Sequence, residues 1–253
     1  MPRPGMKLGK HAPKHNAKTL LFHNYLKSSA PPPPPAKAYY EYKIPGAVWG
    51  MFGNDKYGDC TCAGPAHEIM NRTAHSGKIV IPTNADVLGM YSVLSPGFDP
   101  NTDANDNGAA ITDALNYMAR TGLAGEKIDG WAAIDYTNQM TVEQGIYIFG
   151  SINIGVQLPN SAMDQTQAGQ AWTVLADDGG IDGGHCIPVL GYGSEGLTCV
   201  TWGALQQMTW DWFKTYCDEA YVELALDWVS ANGEAVNSLN MAALTADLSA
   251  LKS

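Results

Sequence analysis

Two glycine-rich runs late in the chain, GGHCIPVLGYG (183–193) and GLTCVTWG (196–203), stand two residues apart. They read as two strands joined by a Gly-rich hairpin. EAYVEL (219–224) reads as a returning strand after a short helix at TWDWFKTYC (209–217), and SINIGVQL (151–158) alternates enough to be another strand. The first half carries helical patterns instead. CAGPAHEIMNRTAH (62–75) is predicted as a helix whose first turn is complicated by Pro65. TNADVLGMYSVL (83–94) follows with a Thr or Asn cap, then ITDALNYMARTG (111–122) closed by Gly122, then TVEQGIYIFG (141–150). Helices first and antiparallel strands later predict an α+β fold, a helical half and a sheet half, and argue against alternating βαβ units.

A chain of 253 residues with 45% hydrophobic content can bury one large core, with room for an extension. The extension is visible in the charge. Up to Lys43 there are eight basic residues against the single acid Glu41, a net +7, which leaves −17 for the remainder of a chain whose net charge is −10. Within the same segment PPPPP (31–35) cannot form a helix or a central strand and is expected to be a polyproline II spacer. The chain therefore divides into a basic, Pro-rich arm (1–44), a domain (45–226) and a tail (227–253) with apolar residues at helical spacing, Leu239, Ala243, Leu244, Leu248 and Leu251. The plain reading of the arm is a solvated tail. The alternative is an arm held by another subunit, by another protein of an assembly, or by the acidic domain itself. Nucleic acid is disfavoured as a partner, because the acidic domain repels phosphates. No stretch approaches the roughly 20 apolar residues of a membrane span, and no secretion signal is visible, so the expected location is the cytoplasm or a viral particle.

The chemistry centres on KYGDCTCAGPAH (56–67), with two cysteines one residue apart at a predicted helix start. They fit a nucleophile, a fragment of a metal site, or a pair of small apolar side chains. Five scattered cysteines (Cys60, Cys62, Cys186, Cys199, Cys217) make no disulfide framework, and a zinc site needs further paired ligands, so no metal or cofactor is expected. DANDNG (103–108) imitates half a calcium loop through Asp103, Asn105 and Asn107, but position twelve is Ala114, which leaves an Asx-turn loop. A thiol becomes a useful nucleophile when a helix N-terminus and an imidazolium lower its pKa. His67 lies about 10 Å up the same helix from Cys60 and cannot reach it. His185 is the better partner, at the start of a strand beside Gly183 and Gly184, where another backbone can approach. Thr201 on the neighbouring strand can orient the ring and Trp202 can cover it. Cys62 is expected in the core, and Cys186, alternating with His185, is expected to pack against Cys199 or its neighbours.

The ordered set of Asn54 six residues before Cys60, NDNGAAITDALNYMARTGL (105–123), GGHCIPVLGYG and VTWG resembles the papain-like cysteine peptidases across about residues 45–225. The resemblance implies a papain-like fold with Cys60 as nucleophile and His185 as general base and acid. It further implies Asn54 as an oxyanion donor beside the Cys60 N–H, Thr201 in the orienting position, Trp202 as shield, and Gly108 and Gly184 along the substrate cleft. The combination GND..GDC, GGH and TWG followed by CDEAY also resembles poorly characterised bacterial and phage proteins. Asn54 is one methylene shorter than the family's glutamine, Thr201 replaces an asparagine, and the charge of Asp59 opposes thiolate formation. Two functions follow. One is a cysteine peptidase or related thiol amidohydrolase acting on peptide or protein substrates. The other is a silent papain-fold structural protein, such as a phage-particle component, whose arm binds neighbouring subunits.

Overall fold

The computed structural model describes residues 5–14, 16, 18–27, 33–44, 48–225, 228 and 239–252. The arm contributes a 3-10 turn, Phe22–Tyr25, and a two-residue strand β1, Ala38–Tyr39. The spacer expected over 31–35 lies partly outside the described residues.

The helical half follows in the order that its patterning predicts. Helix α1, Cys60–His75, is buried from Cys60 to Thr73, as a helix surrounded on all sides must be. Several of its polar members find partners: Glu68 accepts from Ser151 at 2.8 Å and from Asn153 at 3.0 Å, and Asn71 donates to the Gly150 carbonyl at 3.0 Å. Pro65 sits inside α1 and removes one backbone donor, yet the helix continues through it. Helix α2, Asn84–Leu94, starts at a reciprocal capping box between Thr83 and Asp86. Helix α3, Ile111–Arg120, runs on to Gly122 in the left-handed region. These three helices and one face of the sheet share a core of Ile69, Met70, Val87, Met90, Leu115 and Met118, joined by Cys186, Leu190 and Val200.

The sheet half is wholly antiparallel. Strand β2, Gly130–Ala133, precedes α4, Gln139–Phe149, which Asn138 caps and a left-handed Gly150 closes. Strand β3 is Ile152–Pro159, followed by α5, Asn160–Gln167. The expected hairpin is β4, Ile181–Gly193, with β5, Gly196–Thr201. Then come β6, Ala204–Thr209, helix α6, Trp210–Tyr216, and β7, Cys217–Leu224. The sheet order is β2-β7-β3-β4-β5-β6, with β1 added to the far part of β4. Its second face packs Ile154, Val156, Ile187, Val189, Trp172 and Trp212 into a separate core. Besides β1 and the 3-10 turn of the arm, three elements of the domain had no counterpart in the sequence reading. β2 is four residues long, β6 alternates weakly with half its residues exposed, and α5 starts after Pro159 without a side-chain cap.

Helix α7, Met241–Lys252, forms the tail and docks on this chain's own domain. Leu244 and Leu248 are buried, Leu239 bridges to Leu26, and Asp247 accepts from the Tyr25 hydroxyl at 2.7 Å.

Candidate active site

Helix α1 and strand β4 meet where Cys60 opens the helix and His185 lies early in the strand. Both line one enclosed space of about 10 Å³, together with Asn54, Cys186, Thr201 and Trp202. As the first helical residue Cys60 stands in the positive field of unpaired backbone amides. The imidazole is fixed from two directions. Its Nε2 lies 2.7 Å from Thr201 Oγ1, and its ring stacks on the Trp202 indole at 4.5 Å and 12°. Trp202 reaches that pose from a left-handed backbone, φ 45°, a strained conformation that aims the indole at the ring. The Thr201 hydroxyl can accept from Nε2–H or donate to a bare Nε2, and Nδ1 has no partner among the described residues; with the proton on Nε2, Nδ1 is the basic atom.

The structure thus brings together Cys60, His185, Thr201 and Trp202 as the sequence reading expected. Asn54 is also present, but its Nδ2 donates to the Tyr57 carbonyl at 3.0 Å. Asp59 occupies the N-cap position without a side-chain cap bond, and burial holds its carboxyl well above the usual range. As expected, the Asp59 charge opposes the Cys60 thiolate and adds to the upward push that burial gives the thiol. Cys186 does not pack against Cys199. Its thiol donates to Asn153 Oδ1 at 2.9 Å on the α1 side of the sheet, while Cys199 belongs to the opposite core. His67 bonds the Gly50 carbonyl at 2.8 Å, as its distance along α1 requires. Among the described residues no group of three or more His, Cys, Asp or Glu side chains is placed to hold a metal ion.

The cleft is filled by the chain's own arm. Residue 10 forms a parallel bridge with Ala109: the Ala109 amide donates to the Gly9 carbonyl and the His11 amide to the Ala109 carbonyl, both at 2.9 Å. On the opposite wall the Lys10 amide donates to the Gly184 carbonyl at 3.0 Å. Lys7 donates to the Asn54 carbonyl at 3.0 Å and its own carbonyl accepts from the Trp202 indole at 3.2 Å. The passage is as narrow as glycine permits. A Cβ on Gly108 would lie 2.0 Å from the Gly9 carbonyl oxygen, and one on Gly184 2.2 Å from that of Lys10. Thus Gly108 and Gly184 line the cleft, and what they admit in this structure is residues 7–11. Beneath this cover burial pushes the Cys60 thiol up to about 12 and lowers His185 to about 3, so both are neutral.

No family model matches the chain, and no curated protein is significantly similar to it. Solved structures do resemble it. Xylellain, a cysteine protease from Xylella fastidiosa, matches with a TM-score of 0.68 at 12% identity, over 89% of this chain and 98% of that one. The Carica candamarcensis cysteine protease CMS1MS2 matches with a TM-score of 0.53 at 13% identity, over 76% and 99%. Digestive procathepsin L 3 of the Tenebrio molitor larval midgut matches with a TM-score of 0.54 at 10% identity, over 87% and 76%. The chain therefore has the papain-like fold of the cysteine proteases.

Proposed function

We propose that this protein is a papain-like thiol amidohydrolase, with peptide bonds as its substrates, held silent by its own N-terminal arm. The observation that carries the reading is the Thr201 contact on His185 Nε2 beside a space that Cys60 and His185 both line; with Nε2–H donating to Thr201, Nδ1 is the base. In the derived sequence Cys60 gives its proton to Nδ1 and the thiolate attacks the substrate carbonyl. The developing oxyanion lies against the Cys60 backbone N–H, and Asn54 serves as second donor once its amide turns from Tyr57. Collapse expels the amine, which takes the proton from His185, and His185 then activates water to release the acid from the thioester. Thr201 keeps the ring in the working tautomer throughout.

None of this begins while the arm is seated. Its departure admits water, relieves the burial that neutralises both groups, and restores the conditions for a thiolate–imidazolium pair. The likeness of the fold to cysteine proteases does not favour the reading of a silent structural protein whose arm binds neighbouring subunits.

The test uses Gly9→Val, whose side chain has no room because a Cβ there would lie 1.8 Å from the Gly58 carbonyl oxygen. Labelling by iodoacetamide between pH 4 and 9 is expected at Cys60, fast in acid, and lost with His185→Ala. Labelling that rises only near pH ~8.5, as for an ordinary thiol, and ignores His185 would sink the proposal.

A further inference from the structure

A further contact of the arm is with a pocket that the catalytic reading does not use. The Lys10 side chain leaves the arm toward β7 and disappears completely from solvent. Its ammonium has three hydrogens and three acceptors: Glu219 at 2.9 Å, Asp218 at 3.1 Å and the carbonyl of the following residue, His11, at 3.1 Å. Both carboxylates are oriented beforehand by neutral donors. Tyr221 donates to the other oxygen of Glu219 at 2.7 Å, and Gln157 donates to Asp218 at 2.5 Å. The stem of the lysine runs over Gly155, where a Cβ would lie 2.8 Å from Lys10 Cε. The pocket is therefore built by β3 and β7 for a long unbranched chain ending in a positive charge. It lies beside the cleft, since Lys10 directly follows Gly9, whose amide donates to the Gly184 carbonyl at 3.2 Å on the wall that carries His185.

We propose that Asp218 and Glu219 form the specificity pocket of the enzyme, and that it acts on peptides or proteins presenting a lysine where Lys10 now lies. The proposal rests on the hydrolase reading of Cys60 and His185. Lysine is preferred over arginine, because the three acceptors surround a point charge and a planar guanidinium cannot satisfy all of them from one position. An apolar side chain of the same length leaves two carboxylates desolvated with no counter-charge. The arm then silences the enzyme by offering the same group that a substrate offers, a lysine on an extended backbone.

The experiment uses the full chain carrying Lys10→Ala, or Lys10→Met if the alanine variant does not fold. Peptidyl epoxides identical except for lysine, arginine or norleucine at the pocket position are compared by their rates of labelling Cys60. Lysine is expected to exceed norleucine by roughly tenfold or more, with arginine between, and a further Glu219→Gln change is expected to shrink the ratio to about two. Equal rates for lysine and norleucine, beside rapid His185-dependent labelling by iodoacetamide, overturn the pocket and leave the hydrolase reading standing. Failure of every reagent to label Cys60 in a His185-dependent way removes the hydrolase reading and with it the substrate assignment. Peptides spanning residues 5–14, with lysine or norleucine at position 10, then report on the pocket alone by fluorescence anisotropy, and equal binding overturns its lysine recognition as well.

Discussion

The two ends of the chain dock on the same domain by different physics. The tail helix α7 is held by apolar burial, Leu244 and Leu248 going into the sheet-side core, with the Tyr25–Asp247 hydrogen bond at its margin. The arm over the cleft is held by backbone hydrogen bonds on both walls and by one buried cation between two carboxylates. Apolar burial has no equivalent replacement in water, whereas every bond of residues 7–11 can be exchanged for water or for another extended peptide. The tail is accordingly a part of the fold, as are Phe22 and Tyr25 of the arm, buried in the same core, and residues 7–11 are a ligand that happens to be covalently attached.

That contrast can be broken most forcefully at Lys10. Replacing it with alanine strands Asp218 and Glu219, a loss of about 3–5 kcal/mol in arm docking, which reads as at least ~100-fold faster labelling of Cys60 at pH 7. The tail should behave oppositely. Leu244→Ala is expected to lower unfolding stability by about 3 kcal/mol in urea titrations and to leave the labelling rate where it was.

Acid provides a third test. Burial holds His185 near 3 while covered, below the usual histidine value of about 6.5, so closure is fully stabilised above pH ~6.5 and weakens as the pH falls toward that lower value. Between pH 6.5 and 5 the cost reaches up to about 1.4 kcal/mol per unit. Hydrogen exchange, corrected for its intrinsic pH dependence, should therefore show loss of protection at the Lys10 and His11 amides and none at Leu244. A His185→Gln chain should lose that dependence. Smaller still, Thr201→Ala in the Gly9→Val background should slow Cys60 labelling by roughly tenfold, since the ring keeps its chemistry but loses the partner that fixes its tautomer. Last, Asp59→Asn should add ~1 kcal/mol at pH 7. A carboxyl whose folded value is raised stabilises the fold least above its ordinary value and most below it, so the gain should vanish near pH 3 in thermal melts.

Much of the site was legible because its chemistry is local. A cysteine at a helix start, a histidine after two glycines and a Thr-Trp pair on the next strand each announce themselves within a few residues, and hairpin pairing brings the last two together. Cys186 meets Val200, the neighbour of Cys199, and not Cys199 itself, because strand alternation does not tell which core each sheet face meets. The opposition of Asp59 to the Cys60 thiolate was legible from its adjacency, whereas the burial that raises both groups is a property of the assembled fold. The lysine pocket went unread although CDEAY was in view, since two adjacent acids on a strand look like an ordinary solvated edge. The available signal was global: an arm of +7 attached to a remainder of −17.

The sequence by itself determined the α+β class, the helical and sheet halves, and Cys60 and His185 as the residues to look for around one small space, because helix and strand periodicity and short motifs are set by neighbours along the chain. Only the tertiary structure decided where the arm goes. Composition left another subunit, another protein and the acidic domain equally open. The choice came from a glycine-walled cleft and two buried carboxylates, groups that meet Lys10 across more than 200 residues of chain.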